Sequence, residues 1–388
     1  MKYDYHMILV SEQTTPNLIP LLDETNRPKA VVMVVSPQME VQAQWLTPVI
    51  RRKGMLVERI NVPDAFDYFQ IESTIFEWLH AHDDQQIALN VTGGTKPMAM
   101  AAQSAFHAAR KPIFYVSDGS DQILWLSEKI TTRAQLPEKI KIPEYLEIHG
   151  YSSPSIGKPL IPGPLRDLAQ TLAANARSWG GALGALNLLA QGAVGKLKTK
   201  LVPSDILSNV QFQQITDLFE KNDLLQWSGA CITFPSESAR QFVNGGWLEF
   251  HTYKILADLA PKLGFVDYGT NVVVQSKDGE TKNEIDAAFM HGNHLHIIEC
   301  KTANLARISE SGETKVTDVL YKLDSLLKIG GKRTYGMLID YRGGLSSYDL
   351  GRADHLNIEV VSAKTLPQLE ERLAAWVQKT TPVQTSDQ

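Results

Sequence analysis

At 388 residues the chain is long enough for two or three domains. Its 43% hydrophobic and 21% charged content is that of a globular protein, and a net charge of −5 excludes a generally basic DNA-coating protein while leaving room for a local basic channel. Two distant cysteines, Cys231 and Cys300, imply neither a disulfide framework nor a zinc site, and no apolar run reaches the roughly 18 residues of a membrane span. The opening Met1-Lys2-Tyr3-Asp4-Tyr5-His6 is interrupted by an acid and followed by no long apolar core, so no signal peptide and a cytoplasmic location are expected. Residues 6–128 alternate short apolar runs with amphipathic stretches. Strands are expected at 6–10, 30–35, 56–61, 87–91 and 113–116, with helices at 17–25, 38–53, 67–82 and 96–110. Continuous apolar strands such as Val31-Val32-Met33-Val34-Val35 suit a parallel sheet covered on both faces, hence an α/β, Rossmann-like first domain over 1–150. A last strand at 123–126 turns back after Asp118-Gly119-Ser120-Asp121.

Ligands of such sheets sit beyond the carboxyl ends of the strands. Those ends carry Ser11, Gln13 and Thr14, then Ser36, then Thr92-Gly93-Gly94-Thr95-Lys96. Two glycines, two threonines and a lysine at a helix start offer N–H groups, hydroxyls and one cation to an anion such as phosphate. An ordinary tight turn with an N-cap is the plainer alternative. The segment has neither P-loop nor G-x-G-x-x-G spacing, which argues against a dinucleotide dehydrogenase. Asn90-Val91-Thr92-Gly93-Gly94-Thr95-Lys96-Pro97-Met98-Ala99, with Ser11, resembles the CARF domain, the CRISPR-associated Rossmann-fold sensor. That resemblance implies a homodimer binding a cyclic oligoadenylate through Ser11, Gln13, Thr14, Ser36, Thr92, Gly93, Gly94, Thr95 and Lys96.

Residues 151–163 concentrate Pro, Gly and Ser and read as a linker. Over 164–241, helices at 165–178, 182–190 and 209–221 precede a hairpin at 222–234, a winged-helix-like order. Lys196, Lys198 and Lys200 are either phosphate contacts or a solvated face, and a connector is the plainer reading of this region.

The last segment, 242–388, holds the most informative stretch. Asn283-Glu284-Ile285-Asp286-Ala287-Ala288-Phe289-Met290 and His294-Leu295-His296-Ile297-Ile298-Glu299-Cys300-Lys301 flank Gly292-Asn293, a strong hairpin signal. With Gly292-Asn293 at the turn, Asp286 faces Glu299 and Glu284 faces Lys301, all four on one face and opposed pairs about 5 Å apart at Cβ. Facing carboxylates repel; a magnesium or manganese ion between them removes that cost, and a lysine on the same face reaches a water or phosphate oxygen. This equipment suits metal-assisted phosphodiester hydrolysis, with a solvated, charge-paired hairpin as the alternative. A strand at 272–275, a helix at 316–328 bearing Lys322, and strands at 335–340 and 358–361 complete the segment; the tail at 380–388 is expected to fray.

Asp286, then Glu299-Cys300-Lys301, with Glu249 in a helix opened by Gly245-Gly246-Trp247-Leu248, resembles the PD-(D/E)xK restriction-endonuclease-like fold, although Ile285 and not proline precedes the aspartate. The resemblance implies metal ligands Glu249, Asp286, Glu299 and the Cys300 backbone carbonyl, with Glu249, Asp286, Glu299 and Lys301 catalytic. The whole chain resembles CARF-fused nucleases of CRISPR type III immunity. That implies activation by a cyclic oligoadenylate, of which cyclic tetraadenylate is favoured, and cleavage of single-stranded or nicked DNA, with RNA left open as a second substrate. A nucleotide-gated DNA-binding regulator with a non-catalytic nuclease-like domain is the rival. A first domain that hydrolyses its own ligand is a third reading, without a paired acid near 92–96 to support it.

Overall fold

The computed structural model describes residues 3–25, 27–117, 121–126, 133–306 and 314–380. The turn expected at Asp118-Gly119-Ser120 and the polar tail after Thr380 lie outside them. The first domain runs β1 (Tyr5–Leu9), α1 (Thr15–Leu22), β2 (Ala30–Val35), α2 (Glu40–Arg52), β3 (Leu56–Asn61), α3 (Tyr68–Ala81), β4 (Ile87–Asn90), α4 (Lys96–Ala108), β5 (Ile113–Val116), β6 (Gln122–Trp125), β7 (Arg133–Gln135) and α5 (Ile142–Glu147). The sheet order is β3-β2-β1-β4-β5-β6-β7, parallel through β5 and antiparallel at β6 and β7. All of β2 is buried, as its unbroken apolar run requires. The doubly wound expectation holds; β7 and α5 are additions.

The linker expected at 151–163 is corrected. β8 (Tyr151–Gly157) joins the edge of the second sheet by pairing with β11 (Asp267–Ser276), with register shifts along the pair. Pro154 cannot donate to a ladder and is tolerated because the strand is an edge. Next come α6 (Gly163–Ala174), α7 (Ala176–Gln191), α8 (Ser204–Leu207), α9 (Val210–Lys221) and the small hairpin β9 (Gln226–Ser228) and β10 (Cys231–Thr233). The break falls at Asn175, so the helix expected over 165–178 is divided and α7 runs on through Gly180-Gly181. Gly184 leaves room for the Arg342 guanidinium, which a Cβ there would overlap.

After α10 (Glu237–Gln241) and a π-helical turn at Phe242–Gly246, α11 (Trp247–Leu263) leads into β11, β12 (Lys282–His291), β13 (His294–Lys301), α12 (Lys315–Ile329), β14 (Thr334–Asp340), α13 (Ser347–His355), β15 (Ile358–Ser362) and α14 (Leu369–Thr380). The second sheet is ordered β15-β14-β13-β12-β11-β8, antiparallel from β8 to β13 and parallel from β13 to β15. On one face its Ala287, Phe289, Ile298 and Met337 share a core with Leu172, Leu186 and Phe212, so the expected connector packs as part of the nuclease-like body. On the other face Ile285, Met290 and Leu295 share a core with Ile8, Val31 and Leu146 of the first domain. Among the described residues, no helix is long and apolar enough to cross a membrane.

Polar contacts pin the same junction. The Asp121 carboxylate, nearly buried, accepts from Arg333 Nη1 at 2.5 Å and from Asn293 Nδ2 at 2.9 Å. Gly292 donates its N–H to Glu138 Oε2 at 2.8 Å, and Tyr145 Oη sits 2.8 Å from the Gly330 carbonyl and 2.9 Å from that of Arg333. The first domain thus holds the hairpin turn between β12 and β13. Breaking a buried pair from one side leaves an uncompensated charge. Arg333→Ala is expected to destabilise the chain by roughly 3–5 kcal/mol, measured by urea unfolding; a loss below about 1 kcal/mol, typical of a surface pair, would contradict this account.

Candidate active site

The hairpin turns where expected. Gly292 (φ 56°) and Asn293 (φ 53°) are both left-handed, as a type I′ turn requires. His291 faces His294, Met290 faces Leu295, Ala288 faces Ile297 and Ala287 faces Ile298. The ladder then gives way to a side chain: Asp286 Oδ2 accepts the Cys300 N–H at 2.7 Å. Carboxylates from the two strands therefore converge beside the end of β13.

Glu299 is 1% exposed, at the end of a strand whose other residues are all buried except Lys301. Its Oε1 takes Lys301 Nζ at 2.6 Å and Lys322 Nζ at 3.0 Å, whereas its buried Oε2 has no hydrogen-bond partner among the described residues. Lys301 Nζ also reaches Asp286 Oδ2 at 3.3 Å and the Cys300 carbonyl at 3.2 Å. Burial alone would lower the Lys301 pKa, but Asp286 and Glu299 outweigh it and hold the ammonium above the ordinary lysine range. Lys301 is therefore a cation here, a donor to anions and not a free base. The Asp286 pKa is raised, by burial and then by Glu299. Lys322 thus meets the site directly, from the face of α12 beside its apolar stripe.

Glu249 lies in the first turn of α11. Burial, then the charge of Asp286, pushes its pKa up to about 7. Sequence reasoning missed its partner. Asn271 stands in the left-handed region (φ 48°) where the β11 ladder skips a residue, and its amide donates to Glu249 Oε2 at 3.3 Å and to Glu284 Oε1 at 2.9 Å. An asparagine inside an alternating strand was the available signal, since Asn tolerates that backbone better than other residues with a Cβ. Asn187 of α7, also missed, bonds the Thr302 hydroxyl at 3.0 Å, directly after Lys301. Cys300 turns its thiol away, 3.4 Å from Thr252 Oγ1, and burial pushes that thiol well up.

Among the described residues, no three His, Cys, Asp or Glu side chains already form a metal cage. The donors nonetheless suit a small divalent cation. Asp286 and Glu299 are hard oxygen ligands, one Glu299 oxygen is buried and unused, and Lys301 now supplies the positive charge between the acids.

The candidate ligand residues are divided. A cleft of about 570 Å³ at the carboxyl end of the first sheet is lined by Ser11, Gln13, Ser36, Thr92, Gly93, Gly94 and Thr95. Thr14 and Lys96 are not in its wall. Thr14 is fully buried and its hydroxyl donates to the Ile148 carbonyl, while Lys96 is exposed at the start of α4. The Thr92 hydroxyl is spent on Asn90 and on the Val116 N–H, and that of Thr95 on the Ala65 carbonyl and the α4 cap. Gly93 packs so tightly on the Leu9 carbonyl that a Cβ would sit 2.0 Å from its oxygen.

Two outcomes follow for solution work. Glu249 has a folded pKa near 7 against an unfolded value of about 4.5, so it favours the folded state at low pH and that contribution is lost as pH rises through about 7. Urea unfolding in EDTA should show stability falling across this window in the parent and a flatter profile in Glu249→Gln; identical slopes would contradict the assignment. Gly93→Ala should deform the loop and weaken any ligand of the cleft, read by calorimetry, with hairpin resonances far from the cleft unmoved.

Comparison with known proteins agrees with this geometry. Residues 5–145 match the family described as the Card1 CARF domain, and residues 236–380 that described as the Card1-like endonuclease domain. No curated protein sequence matches the chain. Among solved structures, protein VC1899 from Vibrio cholerae is 25% identical with a TM-score of 0.89, covering 97% of this chain and 99% of its own. Can2 from Sulfobacillus thermosulfidooxidans, solved with cyclic tetra-adenylate, is 27% identical with a TM-score of 0.81 and the same coverage, 97% and 99%. A type III CRISPR defence DNA nuclease activated by cyclic oligoadenylate shares the fold at 20% identity and a TM-score of 0.55, over 87% of this chain and 45% of that one. A CARF domain matched over residues 5–145 and followed by an endonuclease domain matched over 236–380 places the chain in the Card1 family.

Proposed function

We propose that this chain is a metal-dependent nuclease switched on by a cyclic oligoadenylate, serving type III CRISPR defence in the cytoplasm. The observation that carries the reading is the end of the hairpin, where Asp286 and buried Glu299 share Lys301 and one Glu299 oxygen has no partner among the described residues. Asp286, Glu299, the Cys300 carbonyl and Glu249 would hold one or two magnesium or manganese ions. Such an ion lowers the pKa of a bound water and offsets charge on a phosphoryl oxygen. Lys301 donates to a phosphate oxygen and orients the attacking water, and Lys322 fixes the Glu299 carboxylate.

Cyclic tetraadenylate is the activator favoured by the Can2 structure, and the cleft at Ser11, Ser36 and Gly93-Gly94 is its site. Exposed Phe66, Phe69, Phe76 and Met100 support a homodimer closing around it, because Phe66 lines the cleft and the others lie on α3 and α4 beside it. Single-stranded or nicked DNA is the leading substrate, with RNA as a further one. The rival regulator reading gives no reason to bury Glu299 against two lysines.

The test is incubation of labelled single-stranded DNA, duplex and RNA with each cyclic oligoadenylate and magnesium or manganese. Lys301→Ala should lose roughly 10²–10⁴-fold in rate and still bind metal, since the acids remain. Glu299→Ala should lose metal affinity along with rate, and both should keep the activator. Cleavage by Lys301→Ala at the parent rate would sink the nuclease reading.

A further inference from the structure

Beyond the carboxyl ends of β14 and β15 lies a cleft of about 580 Å³ that the catalytic chemistry does not use. It starts one strand from the active site. Lys301 is aligned with Asp340, Asp340 with Ser362, and the Tyr341 N–H donates to the Lys301 carbonyl at 2.9 Å. Asp340 and Ser362 line the cleft, together with Arg177, Arg342, Lys364 and Arg372. Arg372 is paired with Glu359 at 2.5 Å. Among the described residues, Arg177, Arg342 and Lys364 form no salt bridge; the acid of the wall, Asp340, is fully buried, bonded to the N–H groups of Arg342 and Gly344, and feels the Arg342 charge. In a chain of net charge −5, three cations outside any salt bridge among the described residues, gathered one strand from Lys301, make a local anion-attracting field.

On the other side of α13 is an aromatic feature. The Arg352 guanidinium lies 5.3 Å from the Tyr321 ring centre and 5.1 Å from that of Tyr348, and bonds Thr317 Oγ1 and Tyr348 Oη, each at 3.0 Å. A staple between α12 and α13 would bury its rings. Instead Tyr321 is 52% and Tyr348 69% exposed, and Tyr321 precedes Lys322, which holds Glu299. Exposed rings backed by a cation are the surface on which unpaired bases stack, while neighbouring Arg and Lys take the phosphates.

We infer that α13 and its two flanks are a substrate subsite outside the catalytic centre. Arg342, Lys364 and Arg177 hold phosphates of the strand leaving the active site, and the Tyr321–Arg352–Tyr348 stack holds an unpaired base. This rests on the nuclease reading above and adds where the nucleic acid runs.

Binding separates the two claims, because it is read without cleavage. In the full-length Lys301→Ala chain with cyclic tetra-adenylate and manganese, fluorescence anisotropy with a labelled oligothymidylate gives affinity against salt. Tyr348→Ala should weaken binding about tenfold, with Tyr348→Phe close to the parent. The double variant Arg342→Ala/Lys364→Ala should weaken it and reduce the slope of log affinity against log salt by about 1.4. Parental affinity in both Tyr348→Ala and the double variant, or an equal loss in Tyr348→Phe and Tyr348→Ala, overturns the subsite. An oligothymidylate that binds as inferred, yet is never cleaved by the chain with Lys301 intact, overturns the nuclease reading alone.

Discussion

The site depends on a carboxylate kept out of water. Glu299 is 1% exposed, and burying a charged group costs several kcal/mol unless it is paired and hydrogen-bonded. Lys301 and Lys322 meet that cost from two directions, one on the same strand and one on α12, and both converge on Oε1. The position of α12 against the sheet, the end of the β13 ladder and the turn of Asp286 towards the Cys300 N–H all serve that one buried group.

The same hairpin has two differently constrained ends. Its turn is tied to the first domain through Asn293, Gly292, Asp121 and Glu138, and its open end carries Asp286, Glu299 and Lys301. A type I′ turn leaves little freedom in register, so the strands between are a stiff connection from one region to the other. Asn271 and Asn187 then set the flanks, the first bonding Glu249 and the second bonding the Thr302 hydroxyl just past Lys301.

Much of this was legible in the sequence. Gly292-Asn293 dictated the pairing, and alternation put Asp286 and Glu299 on one face. The five parallel strands announced themselves as unbroken apolar runs. What was hidden lay where local chemistry and tertiary context disagree. Residues 151–157 look like a linker because Pro and Ser are poor strand formers, yet an edge with one free side accepts them. Gly180, Gly181 and Gly184 are poor helix formers, yet α7 runs through them, and at Gly184 the missing side chain admits Arg342. α13 and α14 were not foreseen at all, and α13 starts with a capping box, Ser346 and Asp349, that was there to be read. Thr14 and Lys96 stood next to a ligand-type loop in sequence, but helix geometry turns one inward and the other to solvent.

The apolar core that runs without a seam from Ile8 and Val31 through Leu146 to Ile285 and Leu295 has a thermodynamic consequence. Two halves that share buried surface cannot melt separately without exposing it, so unfolding is expected to be one cooperative event across the junction. A small molecule gripping the first sheet then contributes its binding free energy to the stability of the catalytic hairpin, although it touches none of it. Heat resistance of the nuclease half becomes a gauge of how full the distant cleft is.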